Sequence, residues 1–233
     1  QRAGDVIPQV LRVIKKNIYK SKNIEPPKKC PVCKGATHKE KNEAVLRCTN
    51  TYGCYAQKIS QIIHFISKKA LNIDGFGEKQ AKQFYDLKII SNIADIFLLE
   101  KNKNIIENLE GWGSLSFANL VSSIEKSKTI DLDKFIYSLG IRFIGEINAE
   151  ILAKEFKNID NFILLYDNIS ALANIDGLGP KAISSIIEYF SYSQNLSLIK
   201  KLSKILDIKN NIISSSKNFF NNKSIVFTGT LKS

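Results

Sequence analysis

A glycine hairpin recurs along this chain at near-constant spacing, and that repeat limits the fold more than any other feature. Gly75-Phe76-Gly77, Gly111-Trp112-Gly113 and Gly177-Leu178-Gly179 share a Gly-x-Gly pattern, and Phe143-Ile144-Gly145 keeps only the second glycine. The second glycines fall at 77, 113, 145 and 179, in steps of 36, 32 and 34 residues. The residues four and seven places beyond each are apolar: Ala81 and Phe84, Phe117 and Leu120, Ala149 and Leu152, Ile183 and Ile186. Side chains three or four apart share a helix face, so each hairpin opens a helix with one apolar side. The predicted unit is helix, tight hairpin, helix, repeated about every 34 residues. In the last copy Ile183, Ile186, Ile187 and Phe190 follow the i, i+3, i+4, i+7 pattern and are expected to line the core.

The hairpins also carry a chemistry. Glycine lets the backbone turn sharply and approach a ligand with no Cβ in the way. The helix that follows starts with unpaired N–H groups and the positive end of its dipole, which together hold a phosphate oxygen. Several such starts follow a sugar-phosphate backbone without reading base edges. Lys79 and Lys181, two residues beyond the second glycine in their copies, add charge to this contact. The competing reading is that the hairpins only turn the chain between packed helices. Asp74, Glu110 and Asp176 precede three of the hairpins and Phe143 replaces a glycine in the other, so four equal grips on DNA are not expected.

The four cysteines lie together, as Cys30-x2-Cys33, then fourteen residues, then Cys48-x5-Cys54. Two closely spaced pairs complete a tetrahedral thiolate site for Zn²⁺, and Pro31 and Gly35 suit the first turn. Two disulfides are the alternative; they require an oxidising compartment, and the first residues have no signal-peptide pattern. A redox pair at Cys30 and Cys33 leaves Cys48 and Cys54 unexplained. Four thiolates fill the coordination of zinc, so the expected metal is structural rather than catalytic. His38 and His64 are expected to be surface or satisfied core residues, not ligands.

Charge separates the segments. The whole chain is +12, yet residues 56–207 hold 18 basic and 18 acidic residues, so contact with nucleic acid there depends on local geometry. Residues 1–55 carry net +8 and residues 208–233 net +4. Ile, Lys and Asn together fill 86 of 233 positions and arginine only four, a bias typical of an AT-rich genome that accounts for part of the lysine excess. No apolar run is long enough to span a membrane. The expected organisation is a β piece at 1–14, a linker at 15–29, a zinc finger at 30–58, helical repeats at 59–207, a polar linker at 208–222 and a truncated β start at 223–233. With no methionine anywhere and both ends reading as cut structure, a fragment of a longer protein is expected.

The order of these parts resembles the C-terminal half of the bacterial NAD-dependent DNA ligases. Arg2-Ala3-Gly4-Asp5-Val6-Ile7-Pro8 is similar to the end of that family's OB-fold domain, and Cys30-Pro31-Val32-Cys33 with Arg47-Cys48-Thr49-Asn50 and Cys54-Tyr55-Ala56-Gln57 to its zinc finger. The run from His64 to Gly75 resembles the entry to its helix-hairpin-helix domain. Leu139-Gly140-Ile141-Arg142-Phe143-Ile144-Gly145-Glu146 resembles the third hairpin, and Val226-Phe227-Thr228-Gly229-Thr230-Leu231 the first strand and turn of its BRCT domain.

The resemblance implies nick sealing during replication and repair. Such an enzyme adenylates its own lysine from NAD, passes AMP to the 5′-phosphate of a nick, and joins the 3′-hydroxyl with loss of AMP. The adenylated lysine lies in a Lys-x-Asp-Gly motif, and here the residues two before Asp-Gly are Asn72 and Asn174. The implied role is therefore DNA grip, with NAD and Mg²⁺ bound outside this chain, no catalytic residue within it, and nicked duplex DNA as partner. A cytoplasmic, nucleoid-associated monomer is expected. The DNA-binding residues implied are Gly75, Gly77, Lys79, Gly111, Gly113, Arg142, Gly145, Gly177, Gly179 and Lys181. The alternatives are a stand-alone helix-hairpin-helix repair module without ligase activity, and a scaffold in which zinc and hairpins only pack helices.

Overall fold

The computed structural model describes residues 11–12, 25–40 and 43–211. The β pieces expected at 1–14 and 223–233, apart from residues 11–12, and most of both linkers lie outside the described residues. The chain divides into two units between Tyr55 and Ala56. The division falls a little before the expected end of the zinc finger at 58, because helix α1 (Tyr55–Ile66) already begins at Tyr55.

The first unit has very little apolar material to bury. Among the described residues its strands form an antiparallel ribbon of two-residue strands, β1 (Thr37–His38) and β2 (Arg47–Cys48), with Thr37 opposite Cys48 and His38 opposite Arg47. Two strands this short do not hold themselves in water. Cys30 and Cys54 are buried against this small framework, which depends on a staple.

The second unit is helical. After α1 come α2 (Glu78–Asp86), a 3-10 segment (Ile93–Asn102), α3 (Lys103–Glu107) and α4 (Ser114–Ser127). Strand β3 (Thr129–Asp131) leads into α5 (Leu132–Ser138), followed by α6 (Glu146–Phe156), α7 (Ile159–Leu164), a 3-10 segment (Ile169–Asn174), α8 (Pro180–Ser191) and α9 (Ser193–Ile205). One continuous apolar core runs from Ile62 to Leu206, and seven of the eight residues expected to carry the repeat are buried in it, Ile183 being half-buried.

Two expectations need correction. Ile187 is 39% exposed, because the core side of α8 is centred on Ala182, Ile186 and Phe190 and the residue after Ile186 is turned away from it. The polar stretch expected to be linker from 208 instead begins with strand β4 (Asp207–Lys209). This strand pairs in parallel with β3, Ile130 opposite Ile208, so the end of the helical unit is tied back to its middle.

Candidate zinc centre and nucleic-acid interface

The sulfurs of Cys30, Cys33, Cys48 and Cys54 converge, all four lying within 4.8 Å of one another. A tetrahedron of Zn–S bonds near 2.3 Å sets sulfurs about 3.8 Å apart, so the cluster has the size that zinc requires. Cys33 and Cys48 sulfurs stand 3.5 Å apart and all four thiols are free, which removes the disulfide alternative from this structure.

Local backbone builds the cage. The N–H of Cys30 donates to the Gly35 carbonyl at 2.9 Å and the N–H of Lys34 to the Cys30 carbonyl at 2.9 Å, closing the first knuckle. A Cβ at Gly35 would sit 3.2 Å from the Cys33 sulfur and 3.3 Å from the Asn50 Cβ, so this position is kept small by its neighbours. The second knuckle is closed by the Cys54 N–H on the Asn50 carbonyl at 3.0 Å. The Gly35 N–H, ahead of other sulfur and amide donors, lowers the Cys33 thiol from 9.0 to about 6, so one ligand is poised as thiolate. Cys48 is raised to about 11: the Asn50 backbone N–H opposes the shift, but burial and the Cys33 and Cys30 sulfurs outweigh it. His38 is exposed, and His64 Nε2 lies 2.7 Å from the Tyr137 carbonyl, so neither belongs to the cage.

In the helical unit one turn is built four times. Phe76, Trp112, Ile144 and Leu178 donate their N–H to the carbonyls of Ile73, Leu109, Ile141 and Ile175, at 3.3, 3.0, 3.0 and 3.3 Å. The residue before each donor is left-handed: Gly75 at φ +77°, Gly111 at +80°, Phe143 at +61° and Gly177 at +81°. Glycine takes that conformation freely, whereas Phe143 pays roughly 1–2 kcal/mol. Phe76, Ile144 and Leu178 are buried and Trp112 half-buried, anchoring each hairpin in the core. The next residue starts a helix, since the carbonyls of Gly77, Gly113, Gly145 and Gly179 accept from Ala81, Phe117, Ala149 and Ile183 at 2.9, 3.0, 2.9 and 3.1 Å.

The hairpins associate in pairs. Trp112 of the second packs on Phe84 of α2, ring centres 5.1 Å apart, and donates its Nε1–H to Gln83 Oε1 at 3.2 Å. A Cβ on Gly177 of the fourth would lie 3.1 Å from Ile151 Cδ1 of α6. Gln83 and Ile151 both stand six residues beyond their hairpin's second glycine. The first and second hairpins therefore meet as the third and fourth do.

The four differ in how they present donors and charge. The Gly77 N–H is already given to Gln80 Oε1 at 3.2 Å, and the Gly113 N–H to Ser116 Oγ at 2.9 Å. At the same helix position the fourth hairpin has Ala182, which has no acceptor, and the third has Asn148, whose amide donates to the Phe143 carbonyl at 2.8 Å. Lys79 and Lys181 occupy the second helical position in α2 and α8, where α4 and α6 have the exposed Leu115 and Ile147. Glu146 at the start of α6 is neutralised by Lys69 at 2.6 Å, and that carboxylate raises the lysine's pKa.

The motif family described as "NAD-dependent DNA ligase C4 zinc finger domain" matches residues 29–56, which contain all four cysteines. Residues 29–56 are therefore similar to the zinc finger of the NAD-dependent DNA ligases. The family described as "Helix-hairpin-helix motif" matches residues 134–199, the second hairpin pair behind that ligase finger. Proteins named DNA ligase align along the whole chain: one from Pelagibacter ubique is 46% identical over 241 residues, covering 99% of this chain and 35% of the relative. Those of Rickettsia bellii and Rickettsia typhi are each 42% identical, covering 99% and 100% of this chain and 35% of the relative. The chain thus spans about a third of the length of these ligases.

The structure brings the four cysteines together, sets Gly75, Gly111 and Gly177 in the turns, and sets Gly77, Gly113, Gly145 and Gly179 at the helix starts. Arg142 fills the place that is acidic in the other three hairpins, where Asp74, Glu110 and Asp176 stand. The sequence reading of this ligase-like unit missed Gln80 and Ser116, whose only signal was an acceptor three residues after the second glycine. It also missed Phe143 as more than a lost glycine.

Proposed function

We propose that this chain is the DNA-holding part of an NAD-dependent DNA ligase that seals nicks between a 5′-phosphate and a 3′-hydroxyl. The observation that carries the reading is the fourfold turn: each copy places a glycine at a helix start, where backbone N–H groups and the helix dipole favour an anion. Phosphates are then bound by charge and shape, with little discrimination between base sequences. Gly75, Gly77, Gly111, Gly113, Gly145, Gly177 and Gly179 give backbone access, and Lys79, Arg142 and Lys181 supply charge. The neutral balance of residues 56–207 makes this a modest grip, micromolar in order of magnitude for non-specific contact.

Cys30, Cys33, Cys48 and Cys54 hold a structural Zn²⁺, which cross-links a unit too small to fold on apolar burial. Its thiolates fill the coordination sphere and leave no place for substrate. No Lys-x-Asp-Gly occurs in the 233 residues, with Asn72 and Asn174 at the relevant places, so NAD and Mg²⁺ chemistry belongs elsewhere in the parent enzyme. The parent works on nicked duplex DNA as a cytoplasmic monomer. Among the described residues no helix is long and apolar enough to cross a membrane.

The test is incubation with labelled NAD and Mg²⁺ beside a DNA-binding titration of the same preparation. Binding to duplex DNA with no AMP acquired is expected. Covalent AMP on any lysine of this chain, or no DNA binding at low salt, contradicts the reading.

A further inference from the structure

Leu115 and Ile147 are 74% and 75% exposed, more than any other large apolar side chain among the described residues of the helical unit. Both stand second in the helix that follows their hairpin, the place that Lys79 and Lys181 take in the first and fourth copies. Neither serves the fold. Each lies two residues before a core residue, Phe117 or Ala149, and a step of two turns a helical side chain about 200° away from that core. Side chains lean toward the N-terminal end of their helix, so these two reach over the starts of α4 and α6. The backbone there is open, since a Cβ added at Gly113 or Gly145 would meet nothing within 4 Å.

We propose that Leu115 and Ile147 are specificity-determining residues that pack on deoxyribose, so that the second and third hairpins accept a DNA strand and disfavour a ribose one. The proposal rests on the DNA-holding reading above. A lysine at this place suits a phosphate, whereas an aliphatic side chain gains nothing from one and fits the apolar part of the same backbone, the sugar. In DNA the sugar has a bare methylene at C2′, and in RNA a hydroxyl that can both donate and accept. Packed on leucine or isoleucine, that hydroxyl gives up water and receives no hydrogen bond in return. Two single side chains on different helices fall far short of the roughly 800 Å² that a stable protein partner covers on each side. The pair thus suits a sugar better than a protein surface, and it recognises the kind of backbone without reading base edges.

The experiment measures binding of the full 233-residue chain to three duplexes of one sequence: DNA, a DNA–RNA hybrid, and the same hybrid with 2′-fluorine in place of each 2′-hydroxyl. The fluorinated strand keeps a ribose-like sugar shape but has no hydroxyl to desolvate. Wild type is expected to bind DNA about 3- to 10-fold more tightly than the hybrid, and the fluorinated hybrid nearly as tightly as DNA. The double variant Leu115→Ala with Ile147→Ala should melt with wild type, since both side chains are exposed, and should lose the preference while its salt slope stays unchanged. Leu115→Lys with Ile147→Lys should bind every duplex more tightly, with a steeper salt slope and no preference. A preference that survives in either double variant overturns the proposal, as does its absence in wild type. Weak binding of the fluorinated hybrid overturns it as well, assigning the preference to duplex shape. In all three cases the DNA-holding reading stands, whereas absence of DNA binding by wild type removes that reading and this proposal with it.

Discussion

Trp112 donates its indole N–H to Gln83 across 3.2 Å while its ring packs on Phe84, so the turn of the second hairpin is clamped to the helix of the first. Ile151 takes the place of Gln83 in the other pair, against Gly177. The helical unit is thus two like pairs sharing one core, and a change in either clamp should register as lost stability.

Trp112→Ala should lower unfolding stability by about 2–3 kcal/mol, less than for a fully buried tryptophan because the ring is only half-buried. Trp112→Phe keeps the packing and forfeits the hydrogen bond, for about 1 kcal/mol. Urea unfolding monitored by far-ultraviolet circular dichroism measures both. Equal stability of Trp112→Ala and wild type would contradict the pairing.

Gly111→Ala and Gly177→Ala should separate strain from crowding. Both positions are left-handed, so each change costs about 1 kcal/mol. A Cβ at Gly111 meets nothing within 4 Å, whereas one at Gly177 lies 3.1 Å from Ile151 Cδ1. Gly177→Ala should therefore melt measurably lower, and Ile151→Val should recover part of the difference.

The division of labour between legible and hidden features follows from physical range. The four hairpins were readable because a glycine at each helix start and apolar residues four and seven later are local requirements. The cysteine cage was readable because metal-ligand spacing survives in the sequence. Strand β4 was not, since its pairing with β3 joins residues 78 apart and Asp207-Ile208-Lys209 has no strand pattern of its own. The contact of Lys181 with Phe143 was hidden for the same reason, as only the folded core sets the third and fourth hairpins side by side.

Metal analysis should find one zinc per chain. Cys48→Ser should abolish it and unfold residues 30–55, since structural zinc supplies roughly 10 kcal/mol or more of folding energy. The helical unit has its own core and should keep its circular dichroism. In protein stripped of metal the finger unfolds, so an alkylating reagent should reach all four cysteines, whereas bound zinc should protect them. Equal labelling with and without zinc would sink the assignment.

Lys69 masks Glu146 at the start of α6. Lys69→Ala should weaken DNA binding by uncovering a carboxylate beside the third hairpin, and Glu146→Gln should strengthen it and reverse the effect of Lys69→Ala in the double variant. Fluorescence anisotropy at low salt reads this, and an unchanged affinity in both single variants would place the pair away from DNA.

If glycine-started helices grip phosphates, a salt titration of binding to nicked and intact duplexes of two unrelated sequences will show it. Affinity should fall linearly on a log–log plot, alike for both sequences, each neutralised phosphate adding close to −1 to the slope. Lys79→Ala and Lys181→Ala should each make the slope about one unit shallower. Gly77→Val and Gly179→Val should weaken binding to every duplex alike by blocking close approach of the backbone. Binding indifferent to salt, or untouched by both glycine changes, would contradict the account and leave the hairpins as turns between packed helices.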